Sequence, residues 1–236
     1  MARVLILREA AEAERTAHDL AARGHQPLVL PLERTVEIPA PLAASVHETA
    51  IAGFAATSAR AVPALGTAFP GDPRPLLAVG TATADAAAAA GFANVHVAEG
   101  AASTMGRLAL AAGIAPGETL LYAAGRRRTG TLETALAKAG IGCLIREVYD
   151  IVPVALSEGI VRSVLVGGPP DVVLLLSAGQ AEGYGRLAGM MPQLFTPEPN
   201  LLALSGRVAE GLPQSLRPKA RISAASSLAA LFELIA

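Results

Sequence analysis

Short apolar runs alternate with helix-like patterns along the whole chain. Arg3–Leu7 predicts a buried strand, and between residues 13 and 21 apolar positions recur at helical spacing until Gly24 ends the helix. Further strands are predicted at Leu28–Leu30, Ile51–Ala56, Leu76–Val79, Asn94–Val97, Thr119–Ala123, Gly142–Tyr149, Val172–Leu176 and Leu201–Leu204. Helices are predicted at about 59–65, 81–90, 103–112, 129–139, 155–166, 179–188, 206–211 and 226–235, the last of them capped by Ser226. Continuous Val, Leu and Ile strands separated by helices are typical of parallel sheets covered on both faces, so the predicted fold class is α/β.

Three segments of this pattern occur twice, in the same order. The aligned pairs are Gly24 with Gly140, Ser58 with Ser177, and Gly80 with Ser205, which lie 116, 119 and 125 residues apart. Chance explains one such match more easily than three at a nearly constant offset. The repeat therefore predicts two similar lobes, each a parallel sheet flanked by helices, and a length of 236 residues accommodates both.

Two proline-bearing segments mark where the chain is expected to cross between the lobes, Pro31–Pro41 and Tyr149–Val154. The predicted division is residues 1–33 plus 153–236 for a discontinuous first lobe, 38–149 for the second, and 34–37 with 150–152 for a two-segment connector. A cleft between two such lobes, at the carboxyl ends of their strands, is the usual position of a ligand.

Composition narrows the function classes. The chain is 52% hydrophobic with a mean hydropathy of +0.46, which is enough to build a sizeable core. Only 17% of residues are charged and the net charge is -1, so a nucleic-acid partner is not expected. Cys143 is the one cysteine, which excludes an internal disulfide, and His18, His25, His47 and His96 lack metal-ligand spacing. No metal is expected.

No targeting or membrane-spanning segment is predicted. The apolar stretch at the start is closed after a few residues by Arg8 and Glu9, and the longest strongly apolar run, Val172–Leu176, suits a strand. The expected location is the cytoplasm, with no membrane partner.

The first candidate anion-binding site is the turn Gly125–Thr131. This turn follows a strand, precedes a helix and carries Arg126, Arg127 and Arg128. Main-chain N–H groups at such a turn attract anions. Cations at a helix N-terminus oppose the helix dipole by about 0.3–1 kcal/mol each, a cost that an anionic ligand relieves. A solvated charged turn is the alternative interpretation.

Other strand-to-helix turns repeat this theme. They are Thr57-Ser58-Ala59-Arg60, Gly80-Thr81-Ala82-Thr83, Ser177-Ala178-Gly179-Gln180 and Ser205-Gly206-Arg207. Helix capping by Ser or Thr explains each of them singly. Together they favour a ligand with several carboxylates or phosphates. Tyr122 and Tyr149 also lie at strand ends, where a phenol can donate or relay a proton, although a packed tyrosine is the commoner case.

Seven segments in order resemble the uroporphyrinogen-III synthase family: VLILRE, FAATSARAV, LLAVGTATADAAAAAGF, LYAAGRRRTGTLETALAKAG, VYD, LLLSAG and LLALSGRVAEGL. The resemblance covers nearly the whole chain. It implies a bilobed α/β protein with a discontinuous first lobe and a two-stranded connector. It also implies a hydro-lyase that cyclises the linear tetrapyrrole hydroxymethylbilane without a cofactor, inverting the last pyrrole ring and losing water.

The resemblance also assigns residues. Thr57 and Ser58 match the family's threonine-serine turn, Ser177 matches its counterpart in the other lobe, and Tyr149 matches the connector tyrosine, for which we hypothesise the role of proton donor to the departing hydroxyl. The full set expected to contact this octacarboxylate is Arg8, Thr57, Ser58, Arg60, Thr81, Thr83, Arg126, Arg127, Arg128, Ser177, Ala178, Gly179 and Arg207. The chain departs from the family pattern at Glu9, at Ser205–Val208 and after Tyr149.

Two other function classes compete with a synthase. A non-catalytic bilobed module could close on a small anion and report it, and a two-lobed transferase could use a sugar nucleotide. The transferase should show a glycine-rich diphosphate turn and an acidic ribose partner, and neither is evident. A monomer is expected, and a transient contact with the preceding pathway enzyme is a further possibility.

Overall fold

A computed structural model describes residues 1–44, 49–98 and 102–235. In chain order the strands are β1 (Arg3–Ile6), β2 (Gln26–Val29), β3 (Glu33–Glu37), β4 (Ile51–Ala56), β5 (Leu76–Val79), β6 (Val95–Ala98), β7 (Thr119–Gly125), β8 (Gly142–Pro153), β9 (Val172–Leu175), β10 (Asn200–Ala203) and β11 (Ala220–Ile222). The α-helices are α1 (Ala10–Ala22), α2 (Val62–Ala68), α3 (Thr81–Ala89), α4 (Met105–Ala111), α5 (Thr131–Lys138), α6 (Glu158–Val164), α7 (Ala178–Met190), α8 (Gly206–Ala209) and α9 (Leu228–Phe232). Short 3-10 turns lie at Ala59–Ala61, Ala102–Thr104, Pro192–Phe195 and Arg217–Lys219.

The chain folds into two compact units. Unit 1 comprises Met1–Arg34 and Val152–Ala236, and unit 2 comprises Thr35–Ile151. Unit 1 holds a five-stranded sheet in the order β11-β10-β9-β1-β2, with every neighbouring pair parallel. The six-stranded sheet has the order β3-β8-β7-β4-β5-β6, and its pairs from β8 to β6 are parallel. The predicted α/β class with parallel sheets is therefore confirmed.

Strand order also confirms the internal repeat. Without β3, the second sheet reads β6-β5-β4-β7-β8, which corresponds strand for strand to β11-β10-β9-β1-β2. Ser58 follows β4 and Ser177 follows β9, the middle strands of the two series. Gly24 and Gly140 end equivalent helices with φ of +80° and +72°, a backbone conformation that glycine adopts without the clash of a Cβ.

Both faces of each sheet are covered. In β1 and the residue after it, Leu5 and Leu7 pack into one hydrophobic cluster, whereas Val4 and Ile6 pack into another. In β7, Leu121 belongs to one cluster and the neighbouring Tyr122 to a second. Successive strand residues point to opposite faces, so a strand buried on both sides needs apolar residues at every position. This is why the strands could be predicted as continuous apolar runs.

Three predictions need correction. The apolar pattern predicted no strand at β3 or β11, because these edge strands bury little and carry polar residues; for β3, only the two-stranded connector implied by the resemblance indicated a strand. Helix α9 is capped by Ser227 and not by Ser226: the Ser227 hydroxyl accepts a hydrogen bond from the Ala230 N–H at 3.3 Å, the position that an N-cap side chain can reach. Strand β8 continues past Tyr149 to Pro153. Within the described residues, no helix is long and apolar enough to cross a membrane.

Candidate functional site

The arginine turn lies between β7 and α5, in unit 2. Arg126 pairs with Glu147 at 3.3 Å and with Asp150 at 3.2 Å, both on β8. Arg128 pairs with Glu147 at 2.9 Å and with Glu133, in the first turn of α5, at 3.0 Å. The two guanidinium groups lower the pKa of the Glu147 carboxyl. Exposed ion pairs contribute little stability, so their main effect here is to fix the path of the turn.

Arg127 differs from the arginines on either side of it. It is exposed, and among the described residues it has no hydrogen-bond or ion-pair partner. Two of the three positive charges are thus neutralised inside the protein, and the third is available to a ligand. The sequence alone could not separate the three, because Glu147 and Asp150 lie about twenty residues further along the chain.

Tyr149 lies on β8 beside Gly125, the last residue of β7, and its carbonyl accepts the Arg126 N–H at 2.9 Å. A Cβ at Gly125 would come within 2.7 Å of the tyrosine Cζ, so the ring occupies space that only glycine leaves open. The tyrosine is 8% exposed. Its hydroxyl makes no hydrogen bond to the part of the chain that the structure describes. The ring is therefore fixed while the hydroxyl is unpartnered.

A second tyrosine lies on the neighbouring strand. The Tyr122 hydroxyl and Thr57 Oγ1 are 2.9 Å apart, which joins the middle of β7 to the turn after β4. Tyr122 is 2% exposed, and burial raises the pKa of its phenol. The nearby Glu133 and Tyr149 raise that pKa further, and the hydrogen bond to Thr57 opposes the shift. Tyr122 is consequently a neutral hydrogen-bonding group.

The two tyrosines and part of the arginine turn line one small cavity of about 180 Å³. Of the residues predicted for the site, it brings together Thr57, Arg127, Arg128 and Tyr149. The remaining lining residues are Ala102, Tyr122, Gly125, Thr129, Gly130, Thr131, Leu132 and Glu133. Tyr122 had been noted only as a phenol at a strand end. Glu133 had no signal beyond its place in the first turn of a predicted helix, so its ion pair was missed.

The other residues predicted in this unit lie outside that cavity. Ser58 caps the turn Ala59–Ala61 by accepting the Arg60 N–H at 3.3 Å, and Arg60 lines a different cavity of about 420 Å³. Thr81 is the first residue of α3 and is exposed, whereas Thr83 is buried in the same helix. Arg126 points to Glu147 and Asp150.

Unit 1 carries its own group of predicted residues. Ser177 caps α7 by accepting the Gln180 N–H at 3.2 Å, and Ala178 and Gly179 form the first turn of that helix. Arg8 is paired with Glu12 at 2.9 Å. Arg207 lies in α8, is exposed, and has no partner among the residues that the structure describes. The cleft predicted between two lobes stays a prediction.

The described residues contain no site for a metal ion and no reactive thiol. No three His, Cys, Asp or Glu side chains are grouped there so as to hold a metal ion, and His47 lies outside those ranges. Burial raises the pKa of the Cys143 thiol to about 11, so the thiol stays protonated at neutral pH.

Two α/β units with parallel strand pairs, and a cavity in unit 2 lined by arginines and tyrosines, define the class: an α/β protein built from a repeated unit. The chain belongs to the HEM4 family, described as uroporphyrinogen-III synthase HemD, whose model matches residues 14–233. No curated protein sequence matches the chain significantly.

Solved structures show the same fold. A uroporphyrinogen-III synthetase from Helicobacter pylori matches with a TM-score of 0.63 and 16% identity, over 99% of this chain and 98% of that one. A mutant uroporphyrinogen III synthase from Thermus thermophilus matches with a TM-score of 0.55 and 19% identity, over 99% and 96% of the two chains. As a member of its family, the protein is a cyclising lyase of haem biosynthesis. It converts hydroxymethylbilane to uroporphyrinogen III with inversion of ring D and loss of water.

Proposed function

We propose that the cavity of about 180 Å³ in unit 2 holds the reacting end of hydroxymethylbilane, with Tyr149 as the proton donor. One observation carries the proposal: a phenol hydroxyl and a guanidinium that have no partner among the described residues line the same cavity as a threonine hydroxyl. A phenol fixed by packing supplies a proton at a defined place. A free guanidinium supplies a partner for a substrate carboxylate.

Catalysis begins with loss of the terminal hydroxyl. Tyr149 gives its proton to that oxygen as the carbon–oxygen bond breaks, so water leaves and a cationic azafulvene remains. The substituted carbon of the far ring attacks this cation and forms a spiro intermediate, which reopens and recloses with ring D inverted. The proton released when the last ring regains aromaticity returns to the Tyr149 phenolate, so the enzyme ends as it began.

Positioning supplies most of the remaining rate. The open tetrapyrrole closes slowly by itself to the wrong isomer, without inversion of ring D. The enzyme therefore has to hold the substituted carbon near the cation and prevent that direct closure. Several carboxylate contacts at once would do this. We propose Arg127 and Thr57 as contacts in the cavity, with Arg128 fixing the turn.

Further contacts are proposed at the other strand ends. In unit 2 these are Ser58, Arg60, Thr81, Thr83 and Arg126, and in unit 1 they are Arg8, Ser177, Ala178, Gly179 and Arg207. The matching places of Ser58 and Ser177 after β4 and β9 support a common use of the two turns. Arg207 supports it best in unit 1, because its charge has no internal partner among the described residues. Residues 34–37 and 150–152 are proposed as the connector.

The proposal extends to where the enzyme works. An octacarboxylate does not cross a membrane unaided, since moving each charge to the bilayer centre costs on the order of several kcal/mol. The enzyme has to share a compartment with the reaction that makes its substrate, and we place both in the cytoplasm. A monomer that receives hydroxymethylbilane by transient contact with the preceding enzyme fits this arrangement.

A coupled assay tests the proposal. Hydroxymethylbilane is supplied, the products are oxidised, and the type I and type III isomers are resolved by chromatography. We expect type III to rise with protein concentration, and kcat to fall at least tenfold in Tyr149→Phe. Tyr184→Phe is the matched control, since it removes a phenol hydroxyl from a buried tyrosine of unit 1. Full activity of Tyr149→Phe would exclude the proton-donor role, and type I alone with folded wild-type protein would leave a binding module.

A further inference from the structure

We propose that Tyr122 is a positioning residue that directs the Thr57 hydroxyl at a substrate carboxylate. The inference rests on the proposed function of the cavity, and it concerns a residue for which the family resemblance assigned no role. The two hydroxyl oxygens lie 2.9 Å apart, within hydrogen-bond distance. Both side chains line the same cavity as Tyr149 and Arg127.

The direction of this hydrogen bond follows from burial. Tyr122 is 2% exposed, and Thr57 is its one hydrogen-bond partner among the described residues. A buried phenol hydrogen without an acceptor costs about 1–3 kcal/mol, and a phenol is a stronger acid than an aliphatic alcohol. Tyr122 therefore donates and Thr57 Oγ1 accepts.

Because Tyr122 donates this hydrogen bond, it determines in which direction the Thr57 hydroxyl can donate its own hydrogen. A threonine hydroxyl carries one hydrogen and two lone pairs. With one lone pair bound to Tyr122, the hydroxyl hydrogen is turned away from Tyr122. Thr57 is only half-buried and lines the cavity, so the cavity is where its hydrogen can find an acceptor. A carboxylate held there by Arg127 is an acceptor that Thr57 can then bind without first reorienting.

The two tyrosines of the cavity have different tasks. Burial raises the pKa of the Tyr122 phenol more than its hydrogen bond to Thr57 lowers it, so Tyr122 keeps its hydrogen at neutral pH. It has a partner already, whereas the Tyr149 hydroxyl has none among the described residues. Tyr122 thus holds a neighbour in place, and Tyr149 is left to exchange a proton with the substrate.

A double-mutant cycle tests the inference. Tyr122→Phe removes only the phenol oxygen, and Thr57→Val removes only the hydroxyl. A carboxylate contact made before and during the reaction changes KM and leaves kcat unaltered. We expect KM for hydroxymethylbilane to rise about threefold in Tyr122→Phe and about tenfold in Thr57→Val, from the usual strength of one hydrogen bond. The double variant should equal Thr57→Val alone, because Tyr122 acts through Thr57.

Two control variants make the outcome decisive. Thr57→Ser keeps the hydroxyl and should restore a KM near that of the wild type. Tyr184→Phe, from a 1% exposed tyrosine in unit 1, should leave both constants unchanged. A purely structural role for Tyr122 would instead lower the yield of active enzyme at constant KM.

An unchanged KM in Tyr122→Phe, or KM increases that multiply in the double variant, would overturn the inference. Failure of the proposed function is recognised separately, because the wild type itself would then form no type III product. The mutant comparison is made only if the wild type does form it, so the two failures have different signatures.

Discussion

Gly125→Ala is the substitution that tests the arrangement of the site most directly. A Cβ at this residue would lie 2.7 Å from Tyr149 Cζ, 2.8 Å from its hydroxyl oxygen and 2.9 Å from Cε2. Two carbon atoms pack best at about 3.5–4.0 Å, so the ring has to retreat by about 1 Å. Tyr149 is packed in a hydrophobic cluster with Phe54 and Val148 and cannot simply turn aside.

The expected losses follow from that displacement. Overpacking of this kind destabilises a protein by about 1–3 kcal/mol. A reacting group misplaced by about 1 Å can lose about a hundredfold in rate, so kcat should fall about 10- to 100-fold in the fraction that remains folded. KM should change much less, because the carboxylate contacts proposed for Arg127 and Thr57 do not involve Gly125.

The isomer assay is run beside thermal unfolding so that activity is counted per folded molecule. Gly142→Ala is the matched control. Gly142 is the first residue of β8, seven residues before Tyr149, and a Cβ there would lie 2.6 Å from Thr119 Oγ1 of β7. This variant should lose stability and keep its activity per folded molecule. Equal loss of activity in both variants, or full activity of Gly125→Ala, would refute the assignment of Tyr149.

Three further predictions concern charge and helix stability. Arg127→Gln should raise KM for hydroxymethylbilane about tenfold, because a charge-assisted hydrogen bond is lost. Arg162→Gln removes an exposed charge in α6 and should not change KM in the same assay. Arg74 holds the pKa of the Asp72 carboxyl below its ordinary value of 3.8, so Asp72→Asn should be less stable than the wild type at pH 7, and unfolding curves should converge as the pH falls through that lowered pKa. Gly189→Ala should raise the free energy of unfolding by about 0.5–1 kcal/mol, since alanine favours a helix more than glycine does and Gly189 lies in α7 with open space for a Cβ. A decrease in that free energy would contradict this reasoning.

The strands that were predicted best are those buried on both faces. β4 and β5 begin and end at the predicted residues, because a strand buried on both faces reads as a continuous run without polar residues. β3 and β11 lie at sheet edges and carry Glu, Arg and Thr, so their sequences look like loops. Edge strands are specified by the neighbour that they pair with, and a single sequence does not show that neighbour.

The site was predictable as a set of turns and not as a set of contacts. Turn chemistry is local, so the serines and arginines at strand ends could be found by their spacing. The Thr57–Tyr122 hydrogen bond spans 65 residues and depends on β4 and β7 being neighbours. The pairing of Arg126 and Arg128 with Glu147 depends likewise on β8 lying beside β7. Only the fold distinguishes Arg127 from the arginines next to it.

The repeat explains why Arg127 in particular should act on the substrate. β1 and β7 occupy equivalent places in their sheets, and each is followed by an arginine paired with a glutamate in the first turn of the next helix: Arg8 with Glu12, and Arg128 with Glu133. A pair present in both units contributes to the fold without a ligand, because the carboxylate offsets a cation placed unfavourably near a helix N-terminus. Arg127 is additional to that shared pair and has no internal partner among the described residues. An unpaired charge of this kind gives the fold no stability, and its place beside Tyr149 and Thr57 in one cavity supports the proposal that it binds a ligand carboxylate.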